Sequence, residues 1–479
     1  MSIFLSKYYK LKYQLSQFKI FITLNYKYKR VLRHFLLLTI VATNALPLYS
    51  AAKDPDSDLV ARPQVFSQHP AFLHLLLQKV TQEHPQVKSQ LLAMQAAGLE
   101  VQIAQQAYWP TPSVSMERVQ TQLPDPSFAG SPQVLTFRLQ QPVWTGGRLA
   151  AQSNKALANQ GIETARLAEI QQALALKTLQ AWAEVVSSQR QQLVLRQSHE
   201  VQTQLLKKIE RRVDQGMSAQ SEINYSSLRL HQVLQELNNA QQQESHAWVH
   251  LRQWVPEAQS RFAQYETQAA IQTANTAASL ATELANIELP QWESLSIARS
   301  PALLRLSGIS QILLAELQEK RASLQPEVYL RAEHQRGNYT YSHLPPVNRV
   351  FLGVTASTGA GLSLSYQLAA LEIKRNGTQQ EIAASQRTVI ESVQTDYVNA
   401  NARQSKANGL RFNLDSSQEM QAAWERQFIN GKKTWIDVMN AARETTQAEL
   451  AVIENDMAFL QSYWRLQIQA HGVLRWAAP

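Results

Sequence analysis

The second half of this 479-residue sequence retraces the first. Pro85 and Pro110 bracket one segment, Pro301 and Pro326 another of the same span, and the offset of 216 positions also carries Glu117 onto Glu333. Farther along, Arg211-Arg-Val-Asp-Gln-Gly216-Met-Ser-Ala-Gln-Ser-Glu222-Ile223 aligns with Arg426-Gln-Phe-Ile-Asn-Gly431-Lys-Lys-Thr-Trp-Ile-Asp437-Val438 at an offset of 215, which holds to Trp248 and Tyr463. A shift kept across about 140 residues marks two copies of one structural unit, so the fold must be built twice from the same parts. The copies are placed at residues 53–285 and 286–479.

Each copy has the same internal order. A helix opens with proline in its first turn and closes at the second proline. Two short alternating segments follow. In the first copy Leu135, Phe137 and Leu139 are apolar between Thr136, Arg138 and Gln140. In the second, Val328, Leu330 and Ala332 alternate with Tyr329, Arg331 and Glu333, then Val350, Leu352, Val354 and Ala356 with Gly353, Thr355 and Ser357. Turn-rich loops, 123–132 and 337–348, lie between the paired segments, the pattern of strand pairs. Ten-residue strands suit a membrane crossing or an amphipathic hairpin on a soluble body.

Each copy then enters a long proline-free region, with apolar residues at helical steps: Leu167, Ile170, Leu174, Ala181 and Val185, and later Leu450, Ile453, Met457, Leu460, Trp464 and Ile468. A descending arm of roughly 65–70 residues reaches about 100 Å. Gly216 and Gly431 are placed to fold each arm back into an antiparallel hairpin. On this reading Asp437 lies six residues into the returning helix, about 9 Å along its axis. The fold class is mainly α, with duplicated long hairpins and four strands per chain. Four strands cannot close a membrane barrel and open edges are not tolerated in lipid, so a membrane role requires an oligomer. A dimer's eight strands would be filled by side chains, whereas a trimer's twelve leave a lumen.

Charge bears on partners and on location. The chain holds 46 basic and 37 acidic groups. Residues 1–52 contain Lys7, Lys10, Lys12, Lys19, Lys27, Lys29, Arg30 and Arg33 and no acid, so the remainder is nearly neutral and offers no nucleic-acid footprint. Basic residues ending at Arg33, the apolar run 35–42 and Ser50-Ala51-Ala52 together read as a cleaved signal peptide over residues 1–52. Its Lys/Tyr-rich start is long for such a leader, as an over-extended start would make it. The absence of cysteine excludes disulfides and thiolate metal sites.

Chemistry-bearing motifs are sparse. His246 and His250 share a helix face but lack an intervening acid and a third ligand, so they read as solvated or packing residues, with no metal and no cofactor. Asn430-Gly-Lys-Lys-Thr434 lacks the upstream glycine of a phosphate-binding loop. No spacing argues for a catalytic set. We expect no enzyme.

The leader, the duplicated helix-strand-strand-helix-helix units and the glycine turns, with Gln141-Pro-Val-Trp-Thr-Gly-Gly-Arg148 where strand meets helix, resemble the TolC family of outer-membrane ducts over about residues 67–472. The resemblance implies a homotrimer in outer-membrane lipid, with a twelve-strand barrel above a periplasmic helical tunnel. It also implies a periplasmic adaptor (a membrane fusion protein) and an inner-membrane transporter docking at the helix tips. The tips fall on Gly216, Met217, Ser218, Gly431 and Lys432. Asp437 matches the first acid of the family's closed aperture, Lys433 the basic residue tying neighbouring hairpins, Glu222 its partner, and Phe428 an aromatic latch. The second aperture acid is replaced by Asn440, and the second copy has Thr358-Gly-Ala-Gly-Leu-Ser363 in place of the Trp-Thr-Gly-Gly-Arg motif. The run from Gly431 to Asn440, with Ala441-Ala-Arg-Glu444, is similar to the type I secretion branch, adhesin export included, whose inner-membrane partner is an ABC transporter. Multidrug or metal efflux with an RND pump is the alternative, and a periplasmic coiled-coil adaptor a distant one.

Overall fold

Prolines and glycines punctuate the chain, and what lies between them recurs twice. The computed structural model describes residues 71–120, 125–258, 280–281, 283–284, 287–342, 344–356 and 361–473. The expected signal peptide, Leu123 and Pro124 of the first strand loop and Thr358 to Ala360 lie outside them. All the described residues belong to one unit, Phe66–Pro479.

The first copy comprises α1 (Ala71–Glu83), α2 (Pro85–Gln106), β1 (Thr111–Arg118), β2 (Gln133–Trp144), α3 (Arg148–Asp214) and α4 (Gln220–Trp254). The second comprises α5 (Leu289–Arg299), α6 (Pro301–Ala322), β3 (Glu327–Arg336), β4 (Val347–Thr355), α7 (Leu364–Ile429) and α8 (Trp435–His471). Helices α2 and α6 are each 22 residues long and begin 216 positions apart. The descending arms α3 and α7 have 67 and 66 residues, each about 100 Å long.

The short helices α1 and α5 were not legible in the sequence, which pointed only to the proline-opened helices after them. Proline forces the residue before it out of the helical region. His84 (ψ 136°) and Ser300 (ψ 116°) are accordingly extended, and each accepts a hydrogen bond from the first turn that follows. What holds α1 and α5 is packing. Leu73, Leu76, Leu77 and Val80 of α1 and Trp292 of α5 are sealed into the main core beside Trp182 and Trp464, whose rings lie 5.3 Å apart.

Both hairpin turns are built alike. After Asp214 and Ile429 the chain reaches Gly216 (φ +72°) and Gly431 (φ +71°). The Met217 N–H then bonds Arg212 O at 2.8 Å and the Lys432 N–H bonds Gln427 O at 2.9 Å, closing the helix ends in Schellman geometry. Nothing crowds the missing Cβ at either glycine, so the left-handed backbone alone requires it.

The four strands form one antiparallel sheet in the order β1-β2-β3-β4, and the central β2–β3 pair joins the two copies. Alternation sorts its residues. Directly opposed pairs such as Val114–Phe137, Leu139–Ala332, Leu330–Leu352 and Val328–Val354 share one apolar face. The other face carries Ser113–Arg138, Arg138–Glu333, Arg331–Phe351 and Tyr329–Gly353. The apolar face is exposed, Val114, Met116, Val350, Leu352 and Val354 each by more than 60%. Strands β1 and β4 are open edges within the chain, and Pro112 sits on one of them, where proline is tolerated.

Because the turn glycines hold a backbone that costs other residues roughly 1 kcal/mol, Gly431→Val should raise the rate of proteolytic nicking at residues 428–434 about fivefold. Gly377→Ala, inside α7 and uncrowded, should not raise it. Equal rates in the two variants would contradict the account of the turn.

Candidate functional site: the helix tips and the strand sheet

At the tips the two hairpins meet in a small apolar cluster. Leu205 and Ile209 of α3, Phe428 of α7 and Trp435, Val438 and Met439 of α8 are buried, with Ile223, Tyr225 and Trp424 packed against them. Cations lie on its aromatic members. The Arg212 guanidinium is 5.0 Å from the Phe428 ring centre, and Lys433 Nζ is 4.2 Å from that of Trp424. Tyr225 meets Trp435 edge-on at 5.4 Å.

Glu222 and Asp437 are the third residues of α4 and α8, the same position in the two copies. Their surroundings differ. Thr434 caps α8: its hydroxyl accepts the Asp437 N–H at 3.3 Å, and the Asp437 carboxylate accepts the Thr434 N–H at 3.0 Å and its hydroxyl at 2.8 Å. Ala219 stands at the matching position before α4 and offers no side-chain cap. The Thr-x-x-Asp pattern was readable in the sequence as a helix start. It moves the start of α8 to Trp435, so Asp437 lies in the first turn and not six residues into the helix. Bonds from the Thr434 hydroxyl and backbone, aided by the Lys433 charge, hold the Asp437 carboxyl below its usual range.

The remaining tip residues fall as follows. Gly216, Met217, Gly431 and Lys432 are exposed and Ser218 half-buried at the two turns, and Asn440 is exposed one turn beyond Asp437. Phe428 is only 7% exposed and lies inside its own chain's cluster. Among the described residues Lys433 and Glu222 form no ion pair, and Glu222 Oε2 is shielded from solvent with no hydrogen-bond partner. Trp424, Trp435, Arg212 and Tyr225 escaped the sequence reading, because nothing in their spacing separates a tip cluster from an ordinary helix face. Among the described residues no group of acids and histidines could hold a metal ion.

At the far end the sheet's polar face carries a charged row. Arg138 Nε lies 2.7 Å and Arg331 Nε 3.1 Å from the Glu333 carboxylate. Arg148, at the start of α3, is paired with Glu327 at the start of β3. The strand loops interlock above. The Gly130 and Ser131 N–H groups bond the carbonyls of Tyr339 and Asn338, and the Tyr339 hydroxyl reaches Glu117 at 2.8 Å. Exposed Tyr108, Trp109 and Trp144 collect at the helix end of the strands.

A sheet with one exposed apolar and one charged face, standing on helices about 100 Å long, defines a protein that crosses a membrane with strands and extends far from it. The profile of the outer membrane efflux protein family matches residues 76–255 and 292–468, and the chain belongs to that family. Among solved structures it is similar to the outer-membrane channel OprN (TM-score 0.66, 13% identity, 84% of this chain and 90% of that one). It is similar also to the outer membrane protein VceC of Vibrio cholerae (TM-score 0.65, 14% identity, 84% and 96%). A third is the CmeC outer membrane channel of Campylobacter jejuni (TM-score 0.66, 12% identity, 84% and 86%). A search of curated protein sequences gave no match. The chain is an outer-membrane efflux channel protein, a duct and not an enzyme, with its long helices in the periplasm.

A carboxylate with a depressed pKa stabilises its fold above the ordinary carboxylate range and loses that contribution as pH falls through the lowered value. The cap at Asp437 should therefore be constant from pH 8 to pH 5. Hydrogen exchange of the amides of 437–440, corrected for intrinsic rates, should not change over that range. Asp437→Ala should accelerate it about fivefold, and acceleration between pH 8 and pH 5 in the unsubstituted protein would contradict the capping account.

Proposed function

We propose that three copies of this chain close a twelve-stranded barrel, and that the duct serves a tripartite export system with a periplasmic adaptor at its tips and an inner-membrane transporter below. The observation that carries this is the four-stranded sheet, apolar on one face and charged on the other, with both edges unpaired within the chain. Edge backbone groups must be satisfied in lipid, so β1 of one copy pairs with β4 of the next. The polar face with Arg138, Arg331 and Glu333 then lines the lumen.

The aperture forms at the tips. Three Asp437 carboxylates around one axis attract cations and impede anions. Phe428 and its cluster hold each chain's two hairpins together, while Lys433 of one chain bridges to the unpartnered Glu222 of its neighbour. Lys433 and Glu222 are each half-buried at the turns, so the pair stays open to water at its rim, and an adaptor that separates the hairpins can release it. Asn440 in place of a second acid leaves a single acidic ring. Gly216, Met217, Ser218, Gly431 and Lys432 present the docking surface.

Type I secretion of a protein such as an adhesin, with an ABC transporter, is the finer reading, supported by the run Gly431 to Asn440 and Ala441-Ala-Arg-Glu444. Multidrug or metal efflux is the second reading, in keeping with a family described as outer membrane efflux proteins. Deleting the gene separates the two: loss of a secreted protein without a change in susceptibility supports secretion, and the reverse supports efflux. In planar bilayers Lys433→Glu should raise single-channel conductance, and Asp437→Ala should lower cation preference and block by divalent ions. Recordings showing neither change would place the constriction elsewhere.

A further inference from the structure

The two rims of the apolar face are chemically unlike. At the helix end of the strands Trp144 stands opposite Val328 on this face, and Tyr108 and Trp109 are exposed in the turn before β1, the amphipathic rings expected where strands leave a bilayer. At the loop end, on the same face, stand Arg118 and Arg336. The register fixes this. Arg118 lies opposite Gln133, two residues from Leu135, and Leu135 lies opposite Arg336, so all four share the face that carries Val114 and Phe137. Both arginines are exposed, and among the described residues neither makes an ion pair. The carboxylates of the strands, Glu117, Glu327 and Glu333, are at positions of opposite parity and belong to the polar face. Among the strand residues the apolar face therefore carries two guanidinium groups at its loop rim and no carboxylate.

We infer that Arg118 and Arg336 form a binding site for the phosphate groups of the outer leaflet's phosphorylated glycolipid. This rests on the barrel reading, which turns the apolar face to lipid. The two Cα atoms are separated by two strand spacings, about 10 Å across the sheet, and by two residues, about 7 Å along it. Two long side chains at that separation can take both phosphates of one doubly phosphorylated head. Each guanidinium binds a phosphate through paired, charge-assisted N–H···O bonds. A lone charge on a lipid-facing strand is least costly at the interface, where its stem lies along apolar surface and its head reaches polar groups. The aromatic rim faces the inner leaflet. The sheet is thus matched to a membrane whose two leaflets differ in charge.

The test is lipid retention by the full-length assembled protein purified in detergent, read by native mass spectrometry after incubation with diphosphoryl or monophosphoryl lipid A. Wild-type protein should retain the diphosphoryl form preferentially. Arg118→Gln and Arg336→Gln should each lower that retention about fivefold and the double variant about twentyfold. The double variant Arg118→Lys with Arg336→Lys, which keeps the charge, should retain most of it. Arg349→Gln, on the polar face, should change nothing. Retention independent of phosphate, undiminished retention in the double Gln variant, or equal loss in the Gln and Lys pairs would overturn the site. The same spectra report assembly mass: phosphate-dependent binding to a species other than three chains would uphold the site and contradict the barrel.

Discussion

Backbone hydrogen bonding at the edges of the β1-β4 sheet is the constraint on which the rest of the structure depends. Within one chain β1 and β4 each present a row of unpaired N–H and C=O groups, and their side chains expose a continuous apolar face. In water that combination invites aggregation, and in lipid the open edges are untenable. Closure by neighbouring copies answers both. The duplication serves the same end, since β2 and β3 already join the two copies of the unit through the Arg138–Glu333 pair. Each chain then needs only one further seam on either side.

In the proposed trimer the helices extend that closure into a tunnel. The 67- and 66-residue arms are too long to be held by local propensity and are fixed by packing. The apolar core is concentrated where α1, α5 and the ends of α4 and α8 meet around Trp182, Trp248, Trp292 and Trp464. A second, smaller cluster closes the tips. Strong anchoring at mid-length and light anchoring at the tips place the easiest motion at the tips. Glu222 Oε2 and Arg212 Nε, both at the tips, are shielded from solvent with no hydrogen-bond partner among the described residues.

Much of this was legible in the sequence, for physical reasons. The prolines at 85, 110, 301 and 326 and the glycines at 216 and 431 impose backbone geometry that packing cannot override, so α2, α6 and both turns lie where they imply. Period-two alternation marked β2, β3 and β4, while β1, with Pro112 and two serines, carries a weaker pattern. The helices α1 and α5 were missed because tertiary burial of Leu73, Leu76, Leu77 and Trp292 sustains them. At the tips, the Thr434–Asp437 cap was written as a local motif but went unread, and this displaced the start of α8. The cations over Trp424 and Phe428 depend on how two hairpins meet, which no local pattern encodes.

The most direct measurement of the central claim is disulfide trapping across the proposed β1–β4 seam, in a chain with no native cysteine to interfere. Ser115→Cys would be combined in turn with Val347→Cys, Arg349→Cys, Phe351→Cys and Thr355→Cys, and oxidised in intact outer membranes. A bond forms only where Cα atoms approach within about 7 Å, so one register should trap far better than its neighbours. The account predicts, for that pair, covalent species of two and three chains and none larger. Absence of any interchain bond at every register, or a ladder that ends at two or passes three, would contradict it.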